Sequence, residues 1–84
     1  YSLTSQMRRC AVSIPSNIAE GHRRSSRLDY GRFLHIAFGS GAELETQIEI
    51  ASRLKYLSST HRDALIQNLD EVMKMLNRLI QTLK

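Results

Sequence analysis

The 84-residue sequence contains one cysteine, one proline and five aromatic side chains. No apolar run approaches the roughly 18 residues that a membrane-crossing helix needs. The single thiol, Cys10, can form no disulfide within the chain and suits a reducing compartment. No charged start followed by an apolar stretch marks a secretion signal. The expectation is a cytoplasmic protein without a membrane segment. Strand-like alternation, low-complexity tracts and internal repeats are also missing. The length leaves room for one domain, 1–84, and a core from so short a chain buries only about two-thirds of its unfolded surface. Further stabilisation, for example by assembly, is expected. The chain opens on Tyr1 instead of Met, which leads us to expect residues upstream of it.

Acidic residues are in the minority, eight against twelve Lys and Arg, for a formal charge of +4. The excess is not spread evenly. Residues 1–35 hold six arginines, Arg8, Arg9, Arg23, Arg24, Arg27 and Arg32, against Glu20 and Asp29; residues 36–84 hold six bases against six acids. All of the net positive charge therefore lies in the first part, and all of it there is arginine, the side chain best suited to forked contacts with phosphate.

What is abundant is helical periodicity. Apolar residues recur at 65, 69, 72, 76, 79 and 83, with Ile66, Met73 and Ile80 widening the stripe. This pattern predicts a bundle-type helix over about 59–83. Ser58, Ser59 or Thr60 can cap its start, Thr60 and Asp63 loosely resemble a capping box, and Asp70 supports Lys74 one turn on. Tyr30, Phe33, Ala37, Gly41, Leu44, Ile48 and Ala51 form a second stripe and predict a helix over about 27–55, with Glu49 and Arg53 as a supporting pair. Gly31, Gly39 and Gly41 each cost about 1 kcal/mol in such a helix, so close approach of a neighbouring helix is expected there. Leu3, Met7, Cys10 or Ala11, Ile14 and Ile18 predict a third helix over about 3–21. Pro15 should kink it, or break it with a restart at Asn17, which has capping-box spacing to Glu20. Gly21 is expected to close it. Leu34, Ile36, Phe38 and Ile50 lie off the main stripes, which implies a second buried face and more partners than three helices supply. The fold class is all-α, an antiparallel helical bundle.

No catalytic constellation emerges. His22, His35 and His61 are too scattered to ligate a metal. Gly39-Ser40-Gly41 lacks the third glycine, lysine and preceding strand of a phosphate-binding loop. Cys10 falls on an apolar stripe, where a core role outweighs a nucleophilic one. Glu45 and Glu49 share a helix face, but no substrate pocket is evident beside them. We therefore expect no enzyme, metal or cofactor. The arginines could form a solvated surface or bind a polyanion, because phosphate contacts dominate nucleic-acid affinity and require no base-reading motif. Tyr30 and Phe33 are the only aromatics among them, so base stacking is weakly supported. An acidic protein partner is the alternative ligand for the same surface. Ser13, Ser16, Asn17, Glu20, Glu43, Glu45 and Gln47 are expected to serve as hydrogen-bonding partners between helices, since buried polar groups must be paired.

The stretch Leu3-Thr-Ser-Gln-Met-Arg-Arg-Cys-Ala-Val-Ser-Ile-Pro-Ser-Asn-Ile-Ala-Glu-Gly21 resembles the hallmark of the four-helix bundle proteins encoded in 23S ribosomal RNA intervening sequences. Phe33-Leu34, then Ala37-Phe38-Gly39-Ser40, then Ala42 to Ile48, and finally Leu54-Lys-Tyr-Leu57 are similar to that family's next motif. Cys10 stands where the family often has Ala, and Gly41 where a larger apolar residue is common. The resemblance implies a further N-terminal helix, completing an up-down four-helix bundle, and a ring-like homo-oligomer, with a pentamer suspected. Related accessory proteins of diversity-generating retroelements share this fold and bind nucleic acid and a reverse transcriptase through basic surfaces, so the resemblance also favours RNA as a partner.

Overall fold

A computed structural model describes residues 2–84. Three helices account for nearly all of them: α1 (Leu3–His22), α2 (Arg27–Arg53) and α3 (Ser59–Thr82). No described residue is in a strand.

All three helices begin with the same device. Ser2, Ser26 and Ser58 hold extended backbone angles, and each hydroxyl accepts a hydrogen bond of 3.1 Å from the backbone N–H three residues on, at Ser5, Asp29 and His61. A serine at this position satisfies one of the four orphan donors of a helix start, worth about 1 kcal/mol. Ser58 thus caps α3 alone, and the Thr60–Asp63 box does not form.

The end of α2 is equally specific. Lys55 has φ 63°, and its N–H donates to the Ser52 carbonyl at 3.0 Å while the Tyr56 N–H donates to the Ala51 carbonyl at 2.9 Å. These two crossed bonds are a Schellman closure, normally built on glycine because a side chain in the left-handed region costs about 1–2 kcal/mol. For this reason α2 stops at Arg53, short of the expected position 55.

α1 runs unbroken through Pro15. The restart at Asn17 does not occur, because Asn17 turns its amide back on Ser13 instead of capping a new helix. Gly21 does not close α1 in a left-handed turn. It lies inside the helix, buried, where an added Cβ would sit 2.7 Å from Phe33 Cβ and 3.0 Å from the Tyr30 ring. Gly41 likewise leaves room for the Met73 thioether of α3. Gly31 and Gly39, by contrast, face open space, so close approach does not explain them.

Short links reverse the chain twice. Contacts across α1 and α2 run from Ser13–Ser40 to Gly21–Phe33; across α2 and α3 they run from Arg27–Thr82 through Gly41–Met73 to Glu49–Arg62. As the number in one helix rises its partner's falls, which is the signature of antiparallel neighbours. α1 and α3 both pack on α2, and among the described residues their backbones do not approach each other. The result is a slab of 44 × 25 × 13 Å, with a radius of gyration of 13.9 Å against about 12 Å for a compact chain of this length. The core consists of Ile14, Leu34, Ala37, Ile48, Leu69, Leu76 and Ile80. Leu34 and Ala37 have no exposed surface, since α2 is covered on two sides. Ile36 and Ile50 are exposed. The expected Glu49–Arg53 pair is replaced by a tie between helices, Glu49 to Arg62, while Asp70 meets Lys74 at 3.4 Å. No helix among the described residues is long and apolar enough to cross a membrane.

The two classes of glycine predict opposite outcomes. Gly39→Ala should raise stability by about 1 kcal/mol, the ordinary helix-propensity gain, and Gly21→Ala should lower it by about 1–3 kcal/mol through overpacking. Urea denaturation followed by circular dichroism measures both, and a stabilised Gly21→Ala would contradict the packing described here. Lys55→Gly should stabilise by about 1 kcal/mol by relieving the left-handed backbone. An unchanged urea midpoint would show that position 55 carries no strain.

Candidate nucleic-acid interface

All six arginines of the basic part are exposed, but the fold divides them. Arg23 lies in the turn after α1, Arg24 follows it, Arg27 opens α2 and Arg32 stands little more than one turn further on, so these four share one end of the slab. Arg8 and Arg9 lie in α1 about 22 Å away, fifteen residues of helical rise. Since adjacent residues in a helix point about 100° apart, Arg8 and Arg9 serve different surfaces. Arg8 lines an apolar groove and Arg9 a polar pocket.

The clustered arginines are only loosely committed. Arg24 contacts Glu20 at 2.7 Å and lies 4.9 Å from the centre of the Phe33 ring. Arg32 is 3.6 Å from Asp29. Arg27 donates to the Thr82 carbonyl at the end of α3, at 2.8 Å; the Arg23 backbone N–H donates to the Glu20 carbonyl at 3.3 Å, and its side chain makes no ion pair or hydrogen bond among the described residues. Both carboxylate pairs are open to water, where such contacts contribute about 0–1 kcal/mol and are readily exchanged. Beneath them, His22 meets the Tyr30 ring edge-on at 5.8 Å, and Gly21 lets α1 and α2 close tightly enough to hold the turn in place. Four exposed guanidinium groups on a rigid corner, with two carboxylates among them, can bind an array of phosphates.

The polar residues expected to bridge the helices separate into three groups. Ser13 and Asn17 do form a network: Asn17 Nδ2 donates to the Ser13 carbonyl at 2.8 Å and to Ser13 Oγ at 2.9 Å, and Ser13 Oγ lies 2.8 Å from Ser40 Oγ on α2. Ser40 is not legible as its partner in the sequence, where it stands between two glycines. Gln47 and Glu43 both reach Cys10, which is buried against them. Ser16 and Glu45 are exposed and join neither group, and Glu20 is taken up by Arg24. Gln6, Arg9, Cys10, Ser13, Ser40, Glu43 and Gln47 line a pocket of about 380 Å³. Gln47 is only 6% exposed, yet among the described residues its Oε1 has no hydrogen-bond partner, and an unmet buried acceptor costs about 1–3 kcal/mol.

A different sector of α1 contributes to a groove of about 700 Å³ lined by all three helices. Met7, Ile14 and Ile18 form one wall, Leu44, Ile48 and Ala51 the floor, and Leu65, Leu69 and Val72 the other wall. Among the described residues, no group of three or more His, Cys, Asp or Glu is placed to hold a metal ion.

The sequence model of the family described as "23S rRNA-intervening sequence protein" matches residues 1–78. No curated protein matches the chain. A solved structure from Bacteroides thetaiotaomicron VPI-5482, described as a protein with unknown function from the S23 ribosomal protein family, superposes with a TM-score of 0.93 at 27% identity, covering 96% of this chain and 72% of that one. The chain belongs to the 23S rRNA-intervening sequence protein family.

Cys10 supplies a pH-dependent prediction. Burial pushes its thiol pKa up, the Glu43 charge adds to the rise, and a Gln47 hydrogen bond and the Arg9 charge oppose it. The folded state thus holds the proton more tightly than the unfolded state. The resulting stabilisation is present below the ordinary thiol range and is lost as pH rises through the folded pKa. Urea midpoints measured from pH 7 upward should fall more steeply for the native chain than for Cys10→Ala. Parallel slopes would show that the thiol contributes nothing to alkaline sensitivity.

Proposed function

We propose that this member of the 23S rRNA-intervening sequence protein family is a non-enzymatic helical-bundle protein that binds RNA or another polyanion through Arg23, Arg24, Arg27 and Arg32, with Arg8 and Arg9 as a second contact further along α1. The observation that carries the reading is the exposed basic corner. Four arginines project from the α1–α2 turn and the start of α2, the two acids among them are engaged only in solvent-exposed pairs, and residues 36–84 are electrically balanced. Phosphate can displace such pairs at little cost, and arginine provides two donors to each phosphate. The accessory proteins of diversity-generating retroelements, which the family resemblance implies as relatives of the same fold, support the same reading by analogy.

Assembly is part of the proposal. The groove over Leu44, Ile48 and Ala51 has the apolar lining and length of a seat for a helix. We take it as the place of a fourth helix, which would turn the flat layer into an up-down four-helix bundle. Assembly of such bundles into a ring, a pentamer on the family resemblance, would repeat the basic corner around a common axis and multiply weak phosphate contacts. Cytoplasmic location agrees with the lone thiol. The second reading, a scaffold for an acidic protein partner, draws on the same corner and needs no nucleic acid.

Filter binding of structured RNA at 50 and 200 mM salt tests the first reading. Affinity should fall at least tenfold between the two, because each phosphate contact adds about 0.7–0.9 to the salt slope. Changing Arg23, Arg24 and Arg27 together to Ala should flatten the slope by about 2. Absence of binding at low salt, or binding indifferent to salt, would end the proposal. A partner protein retained after nuclease treatment would favour the scaffold.

A further inference from the structure

We propose that the polar pocket between α1 and α2 is a binding site for a guanidinium or ammonium group, whose N–H donors would complete the hydrogen bonding of Gln47 and Glu43. The surplus in this pocket is of acceptors. Gln47 Oε1 is buried and unmet, and the Glu43 carboxylate stands one turn before it at the open edge. Ser13 Oγ already accepts a hydrogen bond from Asn17 Nδ2, and either hydroxyl of the Ser13–Ser40 pair has further capacity to accept. The one cation lining the pocket, Arg9, is itself partnered.

A single water would quiet Gln47. The pocket, at about 380 Å³, exceeds the roughly 30 Å³ share of one water many times over. It is open on one side, and its acceptors are divided between two helices joined by the Ser13–Ser40 bond. A fixed array of this kind suits a rigid, multi-donor cation. The group could come from a free small cation or from an arginine or lysine side chain of a second copy of this chain. The chemistry is the same, and the experiment separates the sources.

Cys10 lies in the wall of the pocket and reports its occupancy. Modification of the full chain by methyl methanethiosulfonate, followed by intact mass, should slow at least threefold in 20 mM methylguanidinium chloride relative to equal sodium chloride. It should be insensitive to methylguanidinium in Glu43→Gln, whose exposed position leaves the fold intact, and in Gln47→Leu. If a free cation is the ligand, light scattering gives the same mass for native protein and Glu43→Gln. If a second copy supplies the group, Glu43→Gln lowers the mass, and modification of the native protein accelerates at least threefold on hundredfold dilution. A rate indifferent to both methylguanidinium and dilution, or slowing that persists undiminished in Glu43→Gln, overturns the proposal.

Discussion

The burial of α2 on two sides is the constraint from which the rest of the architecture follows. Leu34 and Ala37 lose all contact with water because α1 and α3 both lean on this one helix, while among the described residues the backbones of α1 and α3 do not approach each other. With so much of α2 enclosed, the outer helices keep part of their apolar width uncovered along the groove. That is why Leu65 and Ile18 border a groove instead of meeting across a core, and why the molecule is one helix layer thick. The longitudinal register of the layer depends on close approaches, not on volume alone. Gly21 admits Phe33 at one end, and Gly41 admits Met73 near the middle. Once these are set, the Ser13–Ser40 bond and the Glu49–Arg62 tie have little freedom in where they fall.

The same register decides which charged groups meet. The α1–α2 turn is short, so arginines from the end of one helix and the start of the next share a corner. Arg8 and Arg9 share their sequence segment but are separated from that corner by the length of a helix. Grouping all six by composition is therefore correct as charge accounting and too coarse as geometry. The corner can present an array to phosphates, whereas the α1 pair would engage a ligand only if it extended along the helix or came from a neighbouring subunit.

Much of the all-α layout was legible in the sequence, because periodicity survives without knowledge of neighbours. The stripe from Leu65 to Leu83 needs only a helix to make sense, and serine caps announce themselves locally. What was hidden is pairwise. Glu49 looks like a partner for Arg53 until α3 brings Arg62 beside it. Gly21 resembles a helix terminator because a sequence cannot show that Phe33 will press against it. Gly31 and Gly39 look like Gly41, yet only Gly41 has a neighbour. In the candidate site, the exposure of each arginine was legible from its residue type. Ser40 and the unmet Gln47 acceptor were not, since their significance exists only once α1 is laid across α2.

Arg27 links two parts of the molecule that the chain keeps far apart. Its guanidinium sits on the Thr82 carbonyl, at the terminus where α3 concentrates its partial negative charge. A polyanion drawing that guanidinium away would strip the last turn of α3 of its counter-charge and loosen it. Occupancy at the basic corner would then be felt as fraying at the C-terminal end, with no movement needed in the helices between. One side chain, shared by the start of one helix and the finish of another, would make the last turn of α3 sensitive to any polyanion held at the corner.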